Sequence, residues 1–297
     1  MNGQNYQSRD AGQRLTRVLT ALVIGVVAMG VFALKGCQRG PFGRRQMVAM
    51  SPQQEVALGA QAFREVLSDA QVVPSGPAAQ DVQEITRRLV RATANPTFQN
   101  LTRIPTRDYQ WEVRLVRSRE VNAFCLPGGK MVVYTGILPV AQTDAGLATV
   151  MGHEISHALA QHGAERMAQT RLAQIGITAA GASTGDMDAR DRMVLMQVLN
   201  AGAQFGILRY SRKHESEADH IGLLLMAAAG YDPEESVKFW ERMQAVAGKG
   251  GRPPEFLSTH PSHETRIRDL LRWVPEAMPL YQQSGYRDPP QKLHPVP

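Results

Sequence analysis

Apolar positions along this chain fall into helical and strand rhythms whose order predicts an α+β fold, mainly helical. Between 141 and 167 no proline interrupts a stretch in which Leu147, Val150, Met151, Ile155 and Ala158 recur at helical spacing, with Asp144 as an N-terminal charge or cap. Upstream, Ser51 opens a helix whose Val56, Leu58, Ala62, Phe63 and Val66 are apolar among Gln and Glu. Pro74 to Pro77 reads as a turn, and Asp81 as the start of a helix with Val82, Ile85, Leu89 and Val90 inside. From Tyr109 to Val116 apolar and polar residues alternate, as in a half-buried strand. Val121 to Leu126 and Met131 to Thr135 flank Pro127-Gly128-Gly129-Lys130 as a hairpin, giving a small antiparallel sheet.

Beyond residue 167 the helical rhythm continues in pieces. Ile175 to Asp186 is rich in Gly, Ala, Ser and Thr, which fits either a mobile connection or a small-residue helix end. Helices are predicted over Asp188 to Ala203, over Glu215 to Ala229 with Gly230 as its stop, and from Pro233 through Met243. Gly248 to Pro254 reads as a loop and Glu264 to Trp273 as the last helix. From Pro275 the Pro-rich sequence predicts an extended, partly disordered tail. There is no internal repeat.

The 297 residues suffice for one sizeable domain with appendages or for two small domains. The net charge of +6 would suit nucleic acid, but its distribution excludes that reading. Before residue 48 stand seven basic residues and one acid (7 − 1 = +6), and the remaining 26 basic and 26 acidic residues cancel. The excess flanks Val18 to Leu34, an uncharged apolar run that reads as membrane-directed. Two versions compete. In one, Cys37 is lipidated after cleavage of a signal peptide, although Lys35 suits such a site poorly. In the other, the run is an uncleaved anchor, and the four basic residues behind it oppose translocation. Either way the organisation is residues 1–36 signal or anchor, 37–50 tether, 51–275 catalytic domain and 276–297 Pro-rich tail, with an extracytoplasmic, cell-envelope location expected. Cys125, between Phe124 and Leu126, reads as a small buried hydrophobe, and no intrachain disulfide is expected.

The chemistry concentrates in His153-Glu154-Ile155-Ser156-His157. Residues four apart share a helix face, so both imidazoles reach one metal ion. Glu154 lies about 100° further round, where its carboxylate meets a water beside the metal rather than the metal itself. Catalytic zinc needs a third protein ligand and an open position. His162 lies about 140° from His157 if the helix runs on, so it points elsewhere and reads as a surface or second-layer residue. The better source is Ser211-Arg-Lys-His-Glu-Ser-Glu-Ala-Asp219. There Glu215 and Asp219 share a face, one able to ligate and the other to bond the free nitrogen of a ligand histidine. His214 and His220 lie off that face and are not ligands.

Four stretches carry a resemblance: Asn122-Ala-Phe-Cys-Leu-Pro-Gly-Gly-Lys130, Met151 to His157, Tyr210 to Asp219, and Leu257-Ser-Thr-His-Pro-Ser-His-Glu-Thr-Arg266. In that order they resemble the zinc metallopeptidases of the Ste-type CAAX-endopeptidase and HtpX superfamily, in particular its soluble periplasmic BepA/LoiP-type and its Oma-type members. Gly43-Arg44-Arg45-Gln46 looks like the segment after the lipid-bearing cysteine of lipoprotein members. The resemblance runs from about Cys37 to Pro275. It implies a zincin-like (gluzincin) domain with one zinc held by His153, His157 and Glu215, Glu154 as general base and Asp219 behind the ligands. It also implies that His260 either occupies the open zinc position in a self-inhibited state or contacts the oxyanion. His263 reads as structural, and Arg266 as a substrate or oxyanion contact or a helix-surface ion pair. Membrane-embedded members have several spans and BepA has helical repeats, both lacking here, so neither prenylated-protein processing nor a repeat-docked partner is expected.

The expected function is a membrane-tethered zinc endopeptidase that cleaves unfolded, misfolded or misassembled envelope proteins. Glu154 would take the proton of the attacking water and pass it to the leaving amine. The strand Asn122, Ala123, Phe124, Cys125 and Leu126 would hold an extended substrate by backbone pairing. Two rivals are a non-proteolytic chaperone or assembly factor with a plugged zinc site and a zinc hydrolase of cell-wall peptides. An intact Glu154 weighs against the first, since a structural site has no need of a base.

Overall fold

The structure is a computed structural model that describes residues 36–48, 50–183, 210–249, 254–260, 265–286 and 289–296, with a few positions between 20 and 30. The helix expected over Asp188 to Ala203, most of the Val18 to Leu34 run, and His263 lie outside the described residues. Among the described residues no helix is long and apolar enough to cross a membrane. The chain divides into two units, one of residues Met1–Gln38, Arg45–Ala49 and Glu165–Leu208, the other of Arg39–Arg44, Met50–Ala164 and Arg209–Pro297. Strands β1 (Cys37–Arg39) and β2 (Arg45–Met47) form a two-stranded sheet.

The second unit carries the core. Helix α1 (Pro52–Ser68) opens on a capping box in which the Ser51 hydroxyl accepts from the Gln54 N–H and the Gln54 amide oxygen accepts from the Ser51 N–H. Helix α2 (Pro77–Ala92) starts four residues before the expected Asp81, because Pro77 occupies the first helical turn instead of ending the preceding one. Its Val82, Ile85 and Leu89 are buried as expected. A short helix, α3 (Pro96–Thr102), leads to strand β3 (Glu112–Val116), and β4 (Ala123–Leu126) and β5 (Lys130–Tyr134) make the hairpin around Pro127–Gly129. The sheet is mixed rather than wholly antiparallel. Its order is β3-β5-β4, with β3 parallel to β5, because the segment after Val116 crosses before β4 begins.

Helix α4 (Leu138–Ala141) precedes α5 (Asp144–Leu159), whose cap is the Thr143 hydroxyl accepting from the Gly146 N–H at 3.0 Å, with Asp144 inside the first turn. Every residue from Ala145 to Leu159 is buried, so α5 is the central helix, covered on all sides. The predicted continuous helix ends there: Gln161 takes φ +55, and α6 (His162–Ser183) starts afresh. Gln161 pairs with the buried Glu55 of α1, which holds the break in place. The small-residue stretch is helical as far as Ser183.

Helix α7 (Arg212–Ala228) is capped by Ser211 and stopped by Gly230 at φ +83. Then follow α8 (Glu234–Lys249), longer than expected, α9 (Glu255–Thr259) and α10 (Arg266–Gln283). The last helix passes Pro275 and Pro279, where a break was expected. Both prolines face solvent, which satisfies the freed carbonyls, while Leu270, Ala277 and Leu280 remain buried. Beyond it, residues 289–296 are extended and tied beside the start of α5, the Asp144 N–H donating to Gln291 C=O and the Leu293 N–H to Gln142 C=O.

Candidate metal centre

Helices α5 and α7 cross where Gly152 faces Gly222, close enough that a Cβ on Gly222 would lie 3.0 Å from the His153 amide nitrogen. That approach puts the histidine face of α5 against the acidic face of α7. His153 Nε2 lies 3.0 Å from His157 Nε2 and 3.4 Å from Glu215 Oε2, and His157 Nε2 lies 3.5 Å from Glu215 Oε1. His260, at the end of α9, joins them: its Nδ1 is 3.3 Å from His153 Nε2 and 3.1 Å from Glu215 Oε1. All four side chains are buried, and one donor atom from each lies within 4.8 Å of every other.

Three observations test whether these residues suit a metal cation. Zinc–nitrogen and zinc–oxygen bonds of about 2.0–2.1 Å place tetrahedral donors roughly 3.3 Å apart, close to the separations here. The outer nitrogens of both α5 histidines are engaged, His153 Nδ1 with Asp219 Oδ1 at 2.9 Å and His157 Nδ1 with His162 Nδ1 at 2.9 Å. Their inner nitrogens therefore turn toward each other, an arrangement that a shared cation satisfies. Finally, Glu154, Glu215 and Asp219 are buried beside a single buried guanidinium, Arg266, a formal charge of 1 − 3 = −2 that a divalent ion balances. The donor set fits.

The same charge excess governs the protons. Burial alone would lower the His153 pKa, but the carboxylates of Asp219 and Glu215 outweigh it and raise it to about 10. His157 is driven well below its ordinary value by burial and by the neighbouring His153. Glu215 is held far below the carboxylate range, because His153 and His260 outweigh its burial. Asp219 is likewise held low, Arg266 and His153 outweighing burial.

Glu154 stands at the edge of this cluster. Its Oε2 accepts from the Cys125 N–H at 3.2 Å, while the buried Oε1 has no hydrogen-bond partner and lies 3.4 Å from His260 Nε2. Burial raises its pKa, so its proton affinity exceeds that of an ordinary glutamate. Strand β4 is an edge of the sheet. The Tyr134 N–H bonds to Asn122 C=O, so by alternation Phe124 and Leu126 face β5, while Ala123 and Cys125 turn their backbone groups outward, toward Glu154. Cys125 itself is half-buried, with Sγ 3.6 Å from the Leu126 carbonyl oxygen.

Other expected residues fall elsewhere. Of the two places expected for His162, the surface and a layer behind the ligands, the structure shows the second: it is fully buried, the break at Gln161 turns it back onto His157, and its pKa falls to about 4 chiefly through burial. His214 stacks on His162, and His220 stacks between Phe42 and Trp273, so neither faces the donor cluster. Arg266 is not a helix-surface residue. It is buried, its Nε 2.6 Å from Asp219 Oδ2, its Nη2 2.7 Å from Glu215 Oε2, and its plane 3.9 Å above the Trp240 ring. Tyr210, stacked on His157 at 3.9 Å, and Glu217, which accepts from His162 Nε2–H at 2.8 Å, were not anticipated. Glu217 stands two residues from Glu215, on the opposite side of α7, where helical spacing alone assigns it to solvent.

Residues 78–274 match the model of peptidase family M48. The mitochondrial metalloendopeptidase OMA1 of Schizosaccharomyces pombe is 34% identical over 278 residues, 92% of this chain and 76% of the relative. Its namesake in Saccharomyces cerevisiae is 32% identical over 255 residues, 81% and 70% of the two chains. The beta-barrel assembly-enhancing protease of Escherichia coli is 28% identical over 271 residues, 90% of this chain and 53% of the relative. With the mainly helical zincin-like fold and the buried donor cluster, these likenesses show that the chain is a metalloendopeptidase belonging to peptidase family M48.

Proposed function

We propose that this metalloendopeptidase works with one zinc ion per chain held by His153, His157 and Glu215. The observation that carries the reading is the pair of inner imidazole nitrogens 3.0 Å apart beside Glu215, each ring bonded on its outer side. Zinc bound there supplies Lewis acidity, lowering the pKa of water and polarising a carbonyl. Glu154, buried and with one oxygen unpartnered, accepts the proton of the attacking water and passes it to the leaving amine. Asp219 orients His153, and Arg266 fixes the Glu215 and Asp219 carboxylates. The outward backbone groups of Ala123 and the outward Cys125 carbonyl pair with an extended substrate, which favours unfolded chains over folded ones.

His260 fills the fourth donor position in this conformation, which supports a latent resting state. Its withdrawal would open the place that a scissile carbonyl needs. We assign the substrates to unfolded or misassembled proteins of the cell envelope. The enzyme is held at a membrane by the Val18 to Leu34 run or by lipid on Cys37, with the catalytic unit extracytoplasmic. The apolar run between basic residues supports the tether, and the likeness to a protease named for β-barrel assembly supports the substrate class.

The test is casein hydrolysis in the presence of zinc by the wild type, Glu154→Gln and His260→Ala. Cleavage that Glu154→Gln abolishes and His260→Ala accelerates is the expected result. Failure of both the wild type and His260→Ala, or normal cleavage by Glu154→Gln, would overturn it.

A further inference from the structure

Residues 39–44 precede the family-matched region of 78–274, yet they belong to the same unit as the metal centre. Arg44 grips Glu217 in a bidentate pair along one edge of its guanidinium, Nε 2.9 Å from Oε1 and Nη2 2.8 Å from Oε2. The two side chains are only 12% and 9% exposed, so water screens this pair far less than a surface ion pair. Two residues earlier, Phe42 adopts φ +51 and stacks on His220 at 4.7 Å, which in turn stacks on Trp273 at 4.4 Å. A bulky residue holds such a backbone only when its surroundings fix it. Arg44 and Phe42 thus dock on Glu217 and His220, the side of α7 opposite to the one presenting Glu215 and Asp219.

The hydrogen bonds inward from Glu217 run in one direction. A carboxylate only accepts, so His162 donates through Nε2–H to Glu217 Oε2, which leaves its Nδ1 as an acceptor. His157 then donates through Nδ1–H to His162, and its Nε2 lone pair faces the donor cluster. We propose that Arg44 is a positioning residue of the metal centre, acting through Glu217 and His162 to hold His157 in its metal-binding tautomer and orientation. The inference rests on the reading of His157 as a metal ligand. It makes the segment between the apolar N-terminal run and the peptidase region part of the catalytic apparatus rather than a passive tether.

The experiment uses the full-length chain in detergent micelles, stripped of metal. Zinc is titrated against a competing chelator, and cobalt(II) is added separately to record the visible ligand-field spectrum. Variants are Arg44→Ala, Glu217→Gln, the double variant and His157→Ala, each checked for metal-free melting. Zinc affinity should fall about tenfold in Arg44→Ala and in Glu217→Gln, with the double variant no worse than either. The cobalt spectrum should shift in all three. Where Arg44→Ala melts below the assay temperature, the near-isosteric Glu217→Gln decides. Wild-type affinity and spectrum in a folded Glu217→Gln, or losses that add in the double variant, would overturn the proposal while leaving His157 as a ligand. Wild-type zinc binding by His157→Ala would remove the ligand reading and this inference together.

Discussion

Arg266 and Glu215 form an ion pair from which water is excluded, with Nη2 2.7 Å from Oε2 and both side chains fully buried. The same guanidinium reaches Asp219 Oδ2 at 2.6 Å, so one cation holds the carboxylate in the donor cluster and the carboxylate behind His153. Arg266→Met leaves two buried carboxylates without that partner. The expected loss is about 3–5 kcal/mol in denaturant unfolding of the metal-free protein, partly recovered on adding zinc. Arg266→Lys should rescue little, since an ammonium lacks the planar fork that serves both acids. A loss below about 1 kcal/mol on Arg266→Met would show that the pair does not hold the centre together.

Glu154→Gln keeps the size and removes the base. Turnover should drop by about 10²–10⁴-fold, with zinc affinity unchanged. The pH profile carries a second check. Burial raises the Glu154 pKa, and only the ionised carboxylate accepts a proton. The acid limb of kcat/KM should therefore lie above the ordinary glutamate value of about 4.3, with activity rising as pH increases through it. An acid limb at or below that value would assign the proton transfer to another group.

Glu55 is buried against Gln161 at the break between α5 and α6, and burial raises its pKa. A raised carboxyl binds more protons in the folded chain than in the unfolded one, so folding loses stability as pH rises through its pKa. Glu55→Gln removes that loss and keeps a side chain able to bond Gln161. Its melting temperature should exceed that of the wild type at pH 7–8 and match it near pH 4. A gain that persists at pH 4 would trace to packing instead of to the charge.

The metal pentapeptide and the acid pair on α7 were legible because each depends on spacing within a single helix. Glu215, Asp219 and the α5 histidines then meet through the glycine crossing, which no spacing rule reveals. The break at Gln161 has no proline or glycine to announce it, because a glutamate 106 residues away stabilises the positive φ. Hence the helical angle that turned His162 away from His157 did not apply, and of its two expected places the one behind the ligands is realised. Pro275 and Pro279 gave a false stop, since exposure to solvent makes their missing hydrogen bonds cheap. Arg266 and Arg44 were legible as residue types only, their partners being fixed by tertiary contact. The parallel pairing of β3 with β5 is of the same kind, a choice between strands of similar pattern.

Gly222→Ala tests the crossing itself. A Cβ there would stand 3.0 Å from the His153 amide nitrogen and 3.1 Å from the Gly152 carbonyl carbon, while one on Gly152 would meet the Gly222 carbonyl oxygen at 3.2 Å. These contacts are with backbone inside two buried helices, so relief comes only from shifting α5 against α7. Overpacking of this kind costs about 1–3 kcal/mol. The shift also separates His153 and His157 from Glu215, seven residues earlier on the same helix as Gly222. Zinc affinity should therefore fall along with stability, whereas a methyl added elsewhere should leave it alone. Gly248→Ala supplies that comparison: it lies exposed on α8 with no atom within 4 Å of the added carbon. There, alanine should stabilise by about 0.5–1 kcal/mol through helix propensity, with zinc binding unchanged. If Gly222→Ala lowers stability but binds zinc as tightly as the wild type, the donor cluster tolerates the displacement and the close crossing serves packing alone.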